Sequence, residues 1–212
     1  GTQIGSSTAY AKVVGTTLKI YTAAAEFVFN ENCSSMFYPL RKIQTIDFGN
    51  HINTDNVTHM NDMFSYCISL TSLDLSSFNT ANVTHMNSMF FGCQALTSLD
   101  LSSFNTAKVE DMAHMFNFCS SLTSLDLSNF NTANVTSMAS MFYFCLNISE
   151  LDLSSFVFKE NVILAGMFTN LGSEVTNIPI PVYAKSEYVD MLNNPASTGI
   201  NSDYAIVQVK QP

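Results

Sequence analysis

Thr71-Ser72-Leu73-Asp74-Leu75-Ser76-Ser77-Phe78-Asn79-Thr80 is the stretch of sequence that decides the fold. It returns almost unchanged at 97–106 and at 123–132, so the step is 26 residues both times. The same step separates the aspartates and cysteines that form two columns, which are Asp74, Asp100, Asp126 and Asp152, and Cys67, Cys93, Cys119 and Cys145. A fixed step of this length indicates a solenoid, in which each repeat is one coil stacked on the next.

Degenerate copies flank the clear repeats. Ile46-Asp47-Phe48 precedes Leu73-Asp74-Leu75 by 27 residues, and Ile178-Pro179-Ile180 follows Leu151-Asp152-Leu153 by 27 residues, which gives about six coils. The leucine spacing fits the leucine-rich template. Leu73 and Leu75 alternate with polar neighbours, so the leucines should face inward from one short parallel strand per coil.

The segment that returns from each strand has a different apolar pattern. Val83, Met86, Met89 and Phe90 follow an i, i+3, i+6, i+7 spacing, which predicts one or two helical turns with an apolar inner stripe. Equivalent residues of successive coils form columns of methionine and phenylalanine. The predicted fold class is therefore an α/β solenoid of leucine-rich type around one continuous core.

The two ends break the repeat, as expected where a terminal coil must be covered. The sequence predicts one domain over 1–212, with an N-terminal hairpin cap at 1–35, coils over 36–180 and a C-terminal cap at 181–212. The hairpin is expected from Ala9–Val14 and Leu18–Tyr21. The second cap is expected to contain a helix over Ser186–Asn193, ended by Pro195, and a strand over Tyr204–Val209.

Charge and hydropathy exclude some classes of partner. The chain has 17 acidic and 8 basic residues and a net charge of -9, which disfavours nucleic acid. No apolar run approaches the roughly 20 residues that span a bilayer, so membrane insertion of this segment is not expected.

The unit from Leu73 to Cys93 resembles the repeat of BspA-type leucine-rich-repeat surface proteins, in particular the bacterial surface lipoproteins with 26-residue repeats. The resemblance extends over nearly the whole chain. It implies secretion or surface display and adhesion to an extracellular or host protein, and it carries no catalytic residues. The coil that begins at Leu151 departs from the pattern over 157–162.

The cysteine column is expected to be buried and reduced, because Leu40 and Leu171 occupy the same position in flanking coils. His59, His85 and Asp111 share another column and are weak candidates for a metal site, but a solvated face explains them without a ligand, so no metal is expected. The Asn-Val-Thr triplets at Asn56, Asn82 and Asn134, and the sequon at Asn147, are expected to bond local backbone. No catalytic motif is present, so neither enzyme activity nor a cofactor is expected.

The exposed strand face is the predicted binding surface. Its residues are Asp47, Asp74, Asp100, Asp126, Asp152, Ser72, Ser98 and Ser124. Mutual repulsion in this aspartate ladder is expected to raise the carboxyl pKa values, so that acid or calcium would raise the melting temperature. The ladder is either a face solvated by serine and water, or a surface that attracts a cation or a basic partner. Two functions follow: a surface binding module for a protein or glycan, or a structural spacer that holds another domain away from the cell.

Overall fold

The computed structural model describes residues 2–3, 9–22, 26–49, 52–172 and 179–210. The chain forms a β-solenoid of about seven turns, with parallel strands and little helix. Residues one repeat apart lie side by side, as the parallel bridges from His59 to His85, His85 to Asp111 and Asp111 to Ser137 demonstrate. The solenoid predicted from the 26-residue step is therefore confirmed.

The strands fall into three sheets, ordered β1-β2-β3-β5-β7, β10-β9-β8 and β4-β6. Their bounds are β1 Thr2–Gln3, β2 Ala9–Val14, β3 Thr17–Thr22, β4 Phe27–Val28, β5 Thr45–Asp47, β6 Ile52–Asn53, β7 Ser72–Leu73, β8 Leu151–Asp152, β9 Ile180–Ala184 and β10 Ala205–Val209. β1, β2 and β3 pair antiparallel, and all other pairings are parallel.

The prediction of a regular strand in every coil is wrong for the central coils. Leu73 and Leu151 lie in different sheets, and Leu99 and Leu125 belong to no strand, although all four side chains are buried. Each extended segment is cut short by the aspartate that follows its leucine. In the first clear repeat, the Ser76 backbone N–H donates to Asp74 Oδ1 at 2.9 Å, and this local turn competes with pairing between coils.

The predicted helical turns on the return side are replaced by a ladder of tight turns. The Met63 N–H donates to Met60 O at 3.3 Å within its coil, whereas the Phe64 N–H donates to Met89 O of the next coil at 2.9 Å. Asp62 and Tyr66 adopt positive φ of 56° and 57°, which turns the chain out of the helical path. Because every second N–H reaches the neighbouring coil, the segment cannot close the internal bonds of a helix.

A single apolar core runs the length of the solenoid, as predicted. Phe37, Phe64, Phe90, Phe116, Phe142 and Phe168 form a near-parallel stack with centroid separations of 5.4–6.3 Å. The four cysteines of the column, and Cys33, are buried and free, which confirms their burial and lack of disulfides. The Cys119 thiol donates to Phe90 O of the preceding coil at 3.1 Å. Desolvation raises the pKa of the Cys67 thiol to about 11 and that of Cys145 to about 12.

A buried threonine column also joins the coils. Thr106 Oγ1 accepts from the Asn131 backbone N–H at 2.8 Å and donates to Asn131 O at 3.0 Å. Thr54 and Thr80 bond the next coil in the same way, and Thr132 does so to Val157. Each hydroxyl thus ties one coil to its neighbour, and Thr80, Thr106 and Thr132 do so two residues after the buried Phe78, Phe104 and Phe130.

The terminal elements partly match the sequence. The expected hairpin is present as β2 and β3, joined through Gly15 at φ +61°. A 3₁₀ turn over Ser186–Tyr188 leads into α1 (Val189–Leu192), and Pro195 begins a further short helix, α2 (Pro195–Thr198), rather than only ending the first. β10 provides the expected final strand. The role of these elements as caps stays a prediction.

Parts of the predicted caps, 1, 4–8, 23–25 and 211–212, lie outside the described residues, and so do 173–178 of the predicted coils, which include Ile178 of the last degenerate repeat. In the part of the chain that is described, no helix has both the length and the apolar character needed to cross a membrane.

Candidate binding surfaces

The strand face brings the predicted aspartates and serines together. Asp47, Asp74, Asp100 and Asp126 are exposed, as are Ser72, Ser98 and Ser124, while Asp152 is half-buried. Two lysines from the terminal strands close the ladder at its ends: Lys19 Nζ lies 3.2 Å from Asp47 Oδ2, and Lys210 Nζ lies 2.9 Å from Asp152 Oδ2. Among the described residues no salt bridge reaches the three central carboxylates.

The expected rise in the aspartate pKa values is wrong. Hydrogen bonds from the Ser76 hydroxyl and backbone N–H lower the pKa of Asp74, and the equivalent bonds from Ser102 lower that of Asp100. The Ser128 backbone and hydroxyl bonds lower the pKa of Asp126. Repulsion between neighbouring carboxylates is present but smaller, because the side chains point into water, where Coulomb interactions are screened.

The two terminal aspartates also have lowered pKa values. The Gly49 backbone N–H and Lys19 lower the pKa of Asp47. Burial raises the pKa of Asp152, but hydrogen bonds from Lys210 and Ser154 outweigh that effect. Each carboxylate of the ladder is thus stabilised in its ionised form.

His59, His85 and Asp111 lie side by side on successive coils, as the sequence predicts, but within the described residues they do not form a three-ligand metal site. The rings of His59 and His85 stack with centroids 4.7 Å apart, and each Nδ1 lies within 2.9 Å of the threonine hydroxyl that precedes it in the chain. Asp111 continues the column, and its Oδ1 accepts from the Ala113 N–H at 2.9 Å. No cluster of three or more metal-ligating side chains occurs in the described ranges.

The sequon asparagines bond backbone, but in the preceding coil rather than in the local turn. Asn82 Nδ2 donates to Asp55 O at 2.8 Å, Asn134 Nδ2 donates to Ala107 O at 2.8 Å, and Asn147 Nδ2 donates to Ser120 O at 2.7 Å. These side chains therefore serve the stacking of coils, in line with the structural role that their regular spacing predicts.

The turn side carries a feature that the sequence analysis missed, a line of half-exposed rings. We call this line the aromatic ridge; its members are Tyr38, Tyr66, Phe91, Phe118, Tyr143 and Phe144. Successive rings touch in edge-to-face fashion, with centroid separations of 5.9 Å for Tyr38–Tyr66, 4.9 Å for Tyr66–Phe91, 6.1 Å for Phe91–Phe118 and 5.6 Å for Phe118–Tyr143. Such contacts are favoured by the ring quadrupoles.

The ridge is a zigzag, because its rings come alternately from two columns. One column reads Tyr38, Ser65, Phe91, Asn117 and Tyr143, and the other reads Tyr66, Gly92, Phe118 and Phe144. In the first four of these coils, one column supplies a ring and the other supplies a smaller residue that leaves it room, whereas the fifth coil supplies both Tyr143 and Phe144. A Cβ at Gly92 would lie 3.3 Å from Tyr66 Cδ1, so the absence of a side chain there lets the ring of Tyr66 lie flat against the next coil.

The second column holds its residues in the left-handed backbone region. Gly92 has φ +71°, which suits glycine, but Tyr66, Phe118 and Phe144 have φ of 57°, 58° and 57°. For bulky side chains this conformation is an outlier, and it costs on the order of 1–3 kcal/mol each. Retaining rings at strained positions is a signal of a role beyond covering the core.

A groove of about 420 Å³ runs beside the first part of the ridge. Its aromatic wall consists of Tyr38, Tyr66 and Phe91, and its polar wall is the column Ser35, Asp62, Ser88 and His114, one residue from each of four successive coils. Ser65, which is buried, completes the lining. Arg41 lies over the ring of Tyr66, with its guanidinium carbon 5.8 Å from the centroid.

Asn117 lies behind the polar wall. Asn117 is buried, with only 4% of the residue exposed, and its Nδ2 lies 2.9 Å from His114 Nδ1. Because an amide NH₂ only donates, this contact makes Nδ1 the acceptor and leaves the imidazole proton on Nε2. Asn117 Oδ1 is the one buried side-chain oxygen or nitrogen in the described part of the chain that has no hydrogen-bond partner.

No curated protein and no solved structure matches the chain. One family model does match, that of the Mycoplasma protein of unknown function, DUF285, over residues 31–156 and 96–194. The two matches overlap within the repeats and together run from the first turn of the core to the short C-terminal helices. The chain therefore belongs to the DUF285 family of repeat domains.

Proposed function

We propose that the chain is a binding module displayed at a cell surface or secreted, which takes an extracellular or host protein or glycan as its partner and catalyses no reaction. The aromatic ridge carries the proposal. Half-exposed tyrosine and phenylalanine side chains supply large contact areas at low cost in conformational entropy, and aromatic residues are enriched at the centres of binding interfaces. Six such rings in one contiguous line are more than covering the core requires.

The strand face is proposed as a weaker, secondary contact. Its exposed side chains are aspartates and small serines, and Asp74 already accepts two hydrogen bonds from Ser76. Such a face attracts a basic surface through screened Coulomb forces, and it offers no apolar anchor. A basic partner, or an adventitious cation, would therefore bind it weakly and in a salt-dependent way.

Two further considerations support a binding role. The repeat places the same residue type at each step, which suits an extended surface better than an active site, where different groups must converge. The resemblance of the repeat to BspA-type surface proteins supports surface display and adhesion as an analogy.

The test is to measure binding of the whole chain to immobilised extracellular-matrix proteins, mucins and glycans. We expect at least one of these to bind, and we expect Tyr66→Ser to weaken binding while Asp126→Asn, on the strand face, leaves most of it intact. Melting curves of both variants control for folding. Loss of binding in Asp126→Asn but not in Tyr66→Ser would place the site on the strand face.

A structural spacer is the second candidate. It is favoured by two observations: one apolar core runs through the solenoid, and the four threonines of the buried column each couple a central coil to the next, which would stiffen the chain. If no immobilised protein or glycan retains the wild-type chain, the spacer is the better account.

A further inference from the structure

We infer that the groove beside the aromatic ridge binds a neutral, linear glycan, with about one sugar ring per coil over the four coils that line it. This inference rests on the proposed function and names the ligand class and the site. It assigns the main contact to the turn side of the solenoid and not to the acidic strand face.

The first step is the repeat distance. Hydrogen-bonded coils stack at about 4.8 Å, and a sugar in an extended chain has a similar length. A linear glycan laid along the groove would therefore meet an equivalent set of side chains at every sugar. A periodic ligand suits the groove because the polar wall takes one residue from each coil, Ser35, Asp62, Ser88 and His114.

The second step is the amphipathic character of the groove. A pyranose ring has C–H groups on its faces and hydroxyls around its edge. The rings of Tyr38, Tyr66 and Phe91 form an apolar wall for the C–H groups, with Tyr38 the most exposed of the three, and the polar wall beside them can meet the hydroxyls. Tyr38 is 49% exposed, so its ring is accessible to a ligand.

The third step is the match of donors and acceptors. Sugar hydroxyls both donate and accept, and the polar wall needs a ligand that does both: the Asp62 carboxylate only accepts, His114 Nε2–H donates, and the serines do either. An aromatic groove also suits a proline-rich peptide. The backbone of such a peptide offers carbonyl acceptors and few donors, so Asp62 would face it without a partner.

The fourth step is charge. Asp62 lies in the groove, the chain carries a net charge of -9, and the groove lining includes no lysine or arginine. Arg41 lies over the ring of Tyr66 and is not part of that lining. Asp62 and the net negative charge of the chain disfavour uronic acids, sialic acids and sulfated sugars, and the Arg41 guanidinium beside the groove offsets part of this repulsion, so we assign the groove to neutral sugars.

The experiment measures binding of the whole chain to neutral linear gluco-, xylo- and manno-oligosaccharides, from disaccharide to hexasaccharide, by calorimetry. Oligogalacturonates and a proline-rich peptide are the comparison ligands. We expect at least one neutral series to bind, with affinity that rises up to about the tetrasaccharide and then levels off, because four coils line the groove.

Tyr38→Ala should lower the affinity about tenfold, since one stacked ring is lost. Asp62→Asn should also weaken binding, and Tyr10→Ala, which removes an exposed ring on β2, should not change it. Both exposed tyrosines can be replaced without opening the core, so their melting curves should stay close to that of the wild type.

The inference is overturned if no neutral series binds, if oligogalacturonate or the proline-rich peptide binds more tightly, or if Tyr38→Ala binds as the wild type does. If a protein from the wider panel is bound through Tyr66 while every oligosaccharide fails, the binding function stands and the glycan assignment falls. If nothing in either experiment binds, both fall.

Discussion

Replacing Thr106 by valine tests how far the coils depend on buried hydroxyls. The side chain is 1% exposed, and its hydroxyl makes two hydrogen bonds to the Asn131 backbone, at 2.8 and 3.0 Å. Valine keeps the shape and removes both bonds. Each bond contributes a net ~0.5–1.5 kcal/mol, and an N–H left unpaired away from water costs ~1–3 kcal/mol, so we expect Thr106→Val to lower the unfolding free energy by about 2–3 kcal/mol.

Urea denaturation followed by circular dichroism measures this loss, with an unchanged slope showing that the same surface unfolds. Thr106→Ser keeps the hydroxyl and should cost about 1 kcal/mol, for one buried methyl. Thr123→Val is the matched control, because that hydroxyl is exposed and donates to Thr97 O at 3.3 Å; its effect should stay within about 0.5 kcal/mol. A Thr106→Val variant as stable as the Thr123→Val variant would refute the reasoning.

Three further predictions concern acid, thiols and the ridge. The pKa of Asp126 is lower in the folded state than the unfolded value of about 3.9. The Asp126 carboxylate therefore stabilises the fold above that value, and this stabilisation is lost as the pH falls through the folded pKa. Melting temperatures measured by calorimetry should drop in acid, and they should drop less steeply for Asp126→Asn. A rise of the melting temperature in acid would instead indicate that repulsion between the carboxylates dominates. Cys119 should resist a thiol reagent in the native chain and react in denaturant without prior reduction, and rapid native labelling would contradict its burial. Gly92→Ala should lower the free energy of unfolding by about 1–2 kcal/mol, since it places a side chain at φ +71° against the ring of Tyr66. Part of this loss should disappear in a Tyr66→Ser background. If urea titrations show that the losses of the two substitutions are additive, the ring is not involved.

The solenoid and its core could be predicted because a fixed step of 26 residues has one physical consequence. Equivalent residues stack, so Cys67, Cys93 and their column had to share one environment, and the leucines at the same position in flanking coils identified that environment as apolar. This inference needs only the spacing, and the local backbone conformation does not affect it.

The local conformation of the return segment could not be read from apolar spacing alone. Met86, Met89 and Phe90 point inward both from a helix and from a ladder of turns, and the two differ in where the backbone N–H groups donate. The signal that was available is Gly92, with Gly166 in the column of Asp62: these glycines mark the two left-handed positions of each coil. A helix would have tolerated them poorly.

The candidate site was missed for a related reason. Reading one column at a time shows Tyr38, then Ser65, then Phe91, which looks like an irregular surface position. The rings line up only when two columns are read together. The sign of the aspartate pKa shift was missed because Ser76 and its equivalents were treated as solvating neighbours, whereas each donates directly to the carboxylate two residues before it.

Because the rings alternate between two columns, the pattern of the turn-side surface repeats over a longer stretch of chain than the pattern of the core. The core repeats every coil, so gaining or losing one coil of 26 residues leaves the methionine, phenylalanine and cysteine stacks intact. The zigzag repeats every two coils. If the coil that carries Phe91 and Gly92 were deleted, Tyr66 would meet Phe118 of its own column, as Phe118 meets Phe144 in a stacked contact at 4.9 Å, and the edge-to-face contacts of Phe91 would be lost at that joint. Chains of this design can therefore lengthen in single coils without harm to folding, but they keep the alternation of rings between the two columns only when they lengthen in pairs.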